Sequence, residues 1–534
     1  MKSKVFWIFF LAALGMAIAY WLPASREPSF EGKNLSAWLD DLSSKDGETH
    51  ALATEAIHAI GPRAVPFLLA QFAILHPAWK LKTIEWLDQH KWIKFDIERR
   101  GDRIESALEI LRDMGPTASQ EMPRFIRILR KQDFIGAALI SGIGPAAREH
   151  PAATTAVPIL IAKLGMGDPD LRQRVTAALI AIGKKSVPEL ISCLSSSNAT
   201  VRERAASILG RIAQESELTV PVLIKTLLDN DPHVRRAAAE ALGSFRSGTS
   251  GAGDKLVALV HDADPMVRIV ASAALVKIGE HQKAALQTLG NALQDRQVCY
   301  QAALALGEIG PAAADAVPAL IGIFAAANER IAGTQDADKS PQADNERRLQ
   351  MEIAFALGKI GPAAVASVPL LIDAIEKQPR DWSVSAAAEA LGGIGPAANS
   401  AVPTLIRALE DRRFPGDPRF SQVRMRAAVA LGKIGSSDEL AVSALITAVF
   451  DEDFQLRHAA VEALGKLKAP GDHTISALSK ALQDETHIVR LAAANSLTNC
   501  GAGARDALPA LRRNIRDKFP SVREAARHAI KCIE

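Results

Sequence analysis

The 534-residue sequence is poor in the residues that most often carry chemistry or cross-links. Aromatic residues make up only 5%, and there are four cysteines: Cys193, Cys299, Cys500 and Cys532. No two of them form a C-x-x-C pair, so the chain has neither zinc-site spacing nor a disulfide framework. They read as small apolar packing residues. A bridge between Cys500 and Cys532, one repeat apart, stays open as the lesser alternative. An excess of one charge is also missing. Lys plus Arg number 63 and Asp plus Glu 60, a net charge of +3, which gives no global pull toward nucleic acid or acidic partners.

Motifs for catalysis are absent as well. There is no G-x-x-x-x-G-K-[ST], no G-x-S-x-G and no H-E-x-x-H. Glu149-His150 and Glu280-His281 are dipeptides in loop-like stretches. His458 and His487 fall on successive repeats without a third ligand, a poor metal site. The expectation is a non-enzyme with no catalytic residue, no cofactor-binding residue, no metal ligand set and no cofactor.

What is present is repetition. In Met351–Lys377, MEIAFALGKIGPAAVASVPLLIDAIEK, the residues Ile353, Ala354, Leu357 and Ile360 share one helical face. Gly361-Pro362 stops that helix, because proline lacks an amide proton and biases the residue before it away from the α region. Ser367 is placed to cap a second helix, with Pro369 tolerated in its first turn. Val368, Leu371, Ile372 and Ile375 then form its stripe. Two such helices bury too little alone to offset the cost of ordering the chain, so they must stack on neighbours.

The same marks recur. Val-Arg or Leu-Arg opens first helices at Leu171, Val201, Val234, Val267, Val423, Leu456, Val489 and Val522, several of them 33 residues apart. Ala-Leu-Gly follows at Ala241, Ala305, Ala356, Ala390, Ala430 and Ala463, where small residues let helices approach closely. Val-Pro opens second helices at Val157, Val187, Val220, Val317, Val368 and Val402. Asp168-Pro169, Asp231-Pro232 and Asp264-Pro265 place an N-cap acid before a first-turn proline. Repeats at this period number about thirteen, with irregular outermost units.

Three regions depart from the pattern. Residues 5–22, VFWIFFLAALGMAIAYWL, carry no charge, follow Lys2 and Lys4, and end in Tyr20 and Trp21. The run is near the length needed to cross a bilayer, so an uncleaved signal-anchor is the preferred reading, ahead of a cleaved signal or a buried helix. The two lysines favour a cytoplasmic N-terminus, with the bulk of the chain extracytoplasmic, or secreted if the segment is cleaved. Residues 23–33 read as a connector, and the repeat array as 34–534. In Phe30–Leu42, the stripe Leu35, Trp38, Leu39 and Leu42 reads as a capping helix, with Trp38 as a binding anchor the alternative. Residues 74–100 form an irregular insertion holding Trp79, Trp86 and Trp92, read as packing or, alternatively, as an aromatic contact surface. Residues 246–253 and the polar stretch 326–345 read as flexible loops.

VRERAASILG at Val201, VRRAAAEALG at Val234 and VRMRAAVALGKIG at Val423 resemble the HEAT repeat family, and more closely its short HEAT-like branch with the phycobilisome-lyase-type repeats. The resemblance implies an all-α fold, a right-handed α-solenoid or superhelix of about thirteen HEAT-like helical hairpins. In this chain it follows an N-terminal transmembrane or signal helix. The resemblance also implies that Arg202, Arg235, Arg268, Arg424, Arg457, Arg490 and Arg523 join a ladder of polar contacts, broken where Cys299 takes that place. The second helices would line the concave wall. One row on them reads Ala70, Arg127, Ala162, Ser192, Lys225, Gly322, Asp373, Arg407 and Arg513, too mixed for a phosphate track. Arg124, Arg127, Arg130 and Lys131, and again Arg512, Arg513, Arg516 and Lys518, are local basic clusters that read as solvated faces.

The expected function is a membrane-tethered, non-catalytic scaffold that holds a protein or peptide partner on the concave face, as a monomer. A lyase-like accessory subunit of an enzyme is the first alternative, implied by the bilin-lyase-type branch. Binding of a phosphate backbone through the basic clusters is the second.

Overall fold

Ala-Leu-Gly and Gly-Pro recur because each hairpin must end one helix sharply and start the next against it. The computed structural model describes residues 27–68 except 43 and 45, then 110–111, 114, 119–131 and 133–142. It then describes 146–534 apart from 246–248, 250, 335–339, 378–381, 412–417, 436–437 and 468–470. The apolar run 5–22, the insertion 74–100 and its three tryptophans lie outside the described residues. Two units emerge: residues 1–160 with 168–182, and residues 161–167 with 183–534.

The first unit opens on a small hairpin, Ser29–Phe30 paired antiparallel with Lys33–Asn34. Its two turn residues, Glu31 and Gly32, both take positive φ, 51° and 80°, the turn whose twist suits a two-residue hairpin. The first of these φ values is the costlier one, since only glycine takes it freely. Part of the expected connector is thus a strand pair. Helix Leu35–Leu42 follows and buries Leu35, Trp38, Leu39 and Leu42, the predicted stripe. Trp38 is 7% exposed, its indole N–H donates to the carbonyl of Phe30, and Lys33 sits over its ring. It is a core residue rather than a surface anchor. Helix Gly47–Ile60 is capped by Asp46, which accepts from the amide of Thr49. The unit continues through helices Met122–Lys131, Asp133–Gly142 and Pro169–Ile182.

The second unit is a stack of helical hairpins with one continuous core that runs from Ile269 to Ile533. In the hairpin of Met351–Lys377, helix Pro341–Ile360 buries Ile353, Ala354, Leu357 and Ile360, and helix Val368–Lys377 buries Val368, Leu371 and Ile375. The break between them is a 3-10 turn, Gly361–Ser367, entered through Gly361 at φ 79°. Ser367 does not cap the second helix as expected. It lies inside the 3-10 turn, where its hydroxyl donates to the carbonyl of Ala364 at 2.7 Å.

Small residues set the spacing between first helices. A Cβ on Gly210 would lie 2.4 Å from the Cα of Ala241, and one on Gly432 would lie 2.7 Å from the Cα of Ala463. Gly307 meets Ala356 and Gly358 meets Ala390 in the same way. The glycine near the middle of one first helix therefore receives an alanine of the next, and backbones pack at a distance no side chain would allow.

The stretch 326–345 corrects the expectation of a loop. Helix Val317–Ala332 runs through its first part, and helix Pro341–Ile360 begins within its end, capped by Ser340. Ala327, Ile331 and Ala343 are buried in the core of these helices. Of 246–253, Gly251 takes positive φ at 80° and helix Ala252–Leu256 starts directly after it. Helical stretches Cys299–Ala332 and Pro341–Lys377 are long and apolar enough to cross a membrane by length and composition. Each is two helices broken by a 3-10 turn, with its apolar face in the core.

Candidate binding surface

The polar framework of the second unit is built by the Val-Arg position. Arg235 is the fourth residue of helix Pro232–Leu242, where its guanidinium can reach back to the preceding loop. Its Nη1 donates to the carbonyls of Asp229 at 2.9 Å and Asn230 at 3.1 Å. Its Nε and Nη2 donate to the carboxylate of Asp262 at 2.9 and 2.8 Å. Asp262 in turn accepts from the amide of Asp264, which caps the next first helix. One arginine thus fastens its own loop to the loop of the following unit by a two-point fork. Arg202 with Asp229, Arg457 with Asp484, and Arg490 with Asp517 repeat the geometry, each across 27 residues. Arg424 reaches Asp451 and also donates to the carbonyl of Leu409 at 3.0 Å. Arg268 and Arg523 make the two carbonyl contacts.

Electrostatics follow the forks. The hydrogen bond from Arg202 holds the Asp229 carboxyl below its ordinary range, and that from Arg235 does the same for Asp262. For Asp517, burial pushes upward, but Arg490 and the Phe519 amide outweigh it. Of the seven arginines expected to form a ladder, Arg202, Arg235, Arg424, Arg457 and Arg490 reach an aspartate of the next unit, while Arg268 and Arg523 bond the carbonyls of their own preceding loops.

The ladder stops in the middle of the unit. Counting back from the packed glycines Gly307, Gly358 and Gly392, its place falls to Cys299, Gln350 and Val384. Cys299 opens its helix and is half-buried, and burial raises its thiol pKa. Gln350 is fully buried, donates to Asn328, and leaves its Oε1 without a partner. At this gap lies a cavity of 710 Å³, whose walls include Arg296, Cys299, Tyr300, Arg330, Glu346 and Arg348. Sequence reasoning found the gap through Cys299 but not the cavity. Its arginines come from the turn before helix Cys299–Ile309 and from helices Val317–Ala332 and Pro341–Ile360, and only the irregular spacing of the unit hinted at it.

Elsewhere the expected absences stand as expectations. Among the described residues no group of three or more His, Cys, Asp or Glu is placed to hold a metal. His458 lies 3.9 Å from Glu462, and His487 stacks on Phe519 with ring centroids 3.8 Å apart. The four cysteines are free thiols, so the Cys500–Cys532 bridge is not formed. In the second-helix row, Arg127, Ala162, Ser192, Lys225, Gly322, Arg407 and Arg513 are exposed and Asp373 is half-exposed. Arg407 is bonded to Glu376, Arg124 pairs with Glu121 at 3.2 Å, and Arg512 pairs with Glu534 at 2.8 Å, so both basic clusters are partly neutralised.

The family model for HEAT repeats matches residues 187–276, 368–449, 416–498 and 442–531. These segments are HEAT repeats. The described residues are almost all helical, and the second unit is a solenoid built from hairpins of that kind. No curated protein matches it by sequence. Among solved structures, yeast importin-beta (Kap95p) is similar, with a TM-score of 0.54 at 13% identity, over 93% of this chain and 73% of that one. The Kap95:Nup1 complex matches at 0.54 and 14% over the same shares. Kap121p bound to a Cdc14p C-terminus matches at 0.40 and 13%, over 93% of this chain and 66% of that one. At these identities the likeness shows the HEAT-type fold alone.

Proposed function

We propose that the protein is a non-catalytic scaffold that holds a protein or peptide partner along the wall of its second helices. The supporting observation is the row Ser192, Lys225, Gly322, Arg407 and Arg513. Its positions face solvent in hairpin after hairpin, while the first helices and the arginine forks are consumed in holding the stack together. A long, chemically mixed wall suits affinity built from many modest contacts. A neighbour of similar fold, Kap95, forms a complex with Nup1, which is consistent with a protein partner. We further propose that the apolar run 5–22 tethers the chain to a membrane, with the repeats outside the cytoplasm, on the strength of its length and of Lys2 and Lys4.

The test uses photo-crosslinking residues placed at Ser192, Lys225 or Gly322 in the full chain, and at the outer first-helix position Arg236 as a control. Specific adducts are expected from the first set and not from the control. Equal labelling from both faces would sink the wall reading. Protease added outside the intact inner membrane should digest the repeats; full protection until lysis would overturn the orientation.

A further inference from the structure

We propose that the cavity at the break in the arginine ladder binds a phosphoryl dianion. Where the ladder is complete, an arginine and an aspartate fill the space between successive loops. At Cys299 the arginine is missing, and the stretch from Asp295 to the packed glycine Gly307, turn and helix together, is two residues shorter than the one from Asp229 to Gly243. The space stays open, and three other arginines face it.

Charge sets the ligand class. Arg296, Arg330 and Arg348 line the cavity against one lining carboxylate, Glu346, an excess of two positive charges among the lining residues, with Asp295 and Glu352 just behind the wall. A phosphate monoester carries about −1.5 to −2 at neutral pH and offers three acceptor oxygens, so it matches that excess. A single carboxylate would leave half of it. The donors are at hand. Arg330 gives its Nη2 to Glu346 at 2.8 Å, yet its Nε is buried without a hydrogen-bond partner. Arg296 shares the same carboxylate at 3.0 Å and is largely solvent-exposed, so little holds it there. Arg348 is exposed, with no carboxylate within 4 Å among the described residues. The Tyr300 hydroxyl is held by Glu352 at 3.1 Å, which leaves its ring as one wall.

Size adds a second constraint. At 710 Å³ the cavity lies within the roughly 300–1,000 Å³ of small-molecule sites, well above what a bare phosphate fills. The phosphoryl group therefore comes with an organic body. It is either a free phosphorylated small molecule or a phosphorylated side chain of a bound partner; the second source rests on the scaffold reading, the cavity itself does not.

The experiment uses the full chain in detergent at physiological salt. Phenyl phosphate is titrated by calorimetry, in parallel with a phosphoserine peptide, its unphosphorylated twin, and benzoate as a monoanion of similar shape. Saturable binding of phenyl phosphate with a Kd below about 1 mM is expected, with benzoate at least about tenfold weaker. Arg348→Gln should weaken binding about tenfold while leaving the melting curve unchanged, since Arg348 is exposed; Arg330→Gln should do at least as much. Bound ligand should slow maleimide labelling of Cys299, which lines the cavity, and not of Cys532, which does not. A phosphopeptide that binds tenfold tighter than phenyl phosphate, with a silent twin, identifies a partner's side chain as the source. Comparable or weaker peptide binding identifies the free ligand. No saturable binding of either phosphorylated probe, equal binding of benzoate, or indifference to Arg348→Gln would overturn the site. The crosslinking test of the scaffold does not involve this cavity, so the two can fail separately.

Discussion

Two kinds of section alternate within the second unit, and they are held together differently. Around Arg202–Asp262 and Arg424–Asp517, each hairpin is locked to the next by a fork from arginine to aspartate across 27 residues. Between Cys299 and Val384 the forks are gone, while the glycine-alanine contacts and the apolar core continue and scattered polar pairs such as Tyr300–Glu352 take the place of a regular ladder. Close backbone packing is therefore the common requirement, and the polar ladder is an addition that one section does without. The section that lacks it is the section that contains the cavity.

The largest effects should come from the contact that both sections share. Gly210→Val in the ladder and Gly358→Val in the gap each drive a side chain into the Cα of an alanine, at 2.4 and 2.8 Å for the Cβ alone. Each should cost about 1–3 kcal/mol or more by overpacking, read as a fall in the urea midpoint. Gly322→Ala, where a Cβ meets nothing within 4 Å, should be neutral or slightly stabilising. A mild outcome at Gly358 alone would show that the gap is loosely packed.

The next comparison separates the sections. Arg457 is nearly buried, and Arg457→Met leaves the Asp484 carboxylate and the carbonyls of Asp451 and Glu452 without their donor. A loss of about 1–3 kcal/mol is expected in thermal or urea melts. Gln350→Met, at the equivalent place in the gap, removes one hydrogen bond and also a buried oxygen with no partner. It should change stability by less than about 1 kcal/mol. Equal losses would mean that Gln350 is a ladder member of another kind.

Acid should sharpen the contrast further. Asp229, Asp262 and Asp517 titrate below the usual carboxylate value of about 3.9 while folded. Their contribution is fully present above that value and fades as the pH falls through the lower folded one. Below about pH 4, hydrogen exchange should therefore rise first in the helices flanked by those aspartates, and later around Met351. A simultaneous loss throughout would count against the forks as the acid-sensitive element. The smallest effect is on thiol reactivity. Exposed Cys532 should react with maleimide first, while burial raises the pKa values of Cys193, Cys299 and Cys500 and slows them.

Much of this was legible in the sequence. The stripe Ile353, Ala354, Leu357 and Ile360 is buried as its spacing predicts, because period alone decides which face a helix hides. The ladder was expected from the resemblance of the Val-Arg marks to HEAT repeats, and its aspartate partners, 27 residues on, became visible only in the fold. Ser367 was misjudged, since a capping residue and a 3-10 residue look alike without knowledge of the backbone between them. The stretch 326–345 was misjudged because its low apolar content concealed the spacing of Ala327, Ile331 and Ala343. The cavity was beyond reach. Arg296, Arg330 and Glu346 converge only once the hairpin has folded, and no local pattern connects them.

The fork also acts as a ruler. Gly210 and Gly243 are 33 residues apart, and so are Gly432 and Gly465, in units that carry it. In the section without it, Gly307 and Gly358 are 51 residues apart, and Gly392 and Gly432 are 40. An arginine that must reach an aspartate 27 positions on forbids inserted residues between the two. A hairpin freed from that reach can lengthen and still stack through its glycine. New sequence, whether gained over generations or grafted at the bench, is therefore best accommodated in the middle of this unit and worst in the loops around Asp229, Asp262 and Asp484.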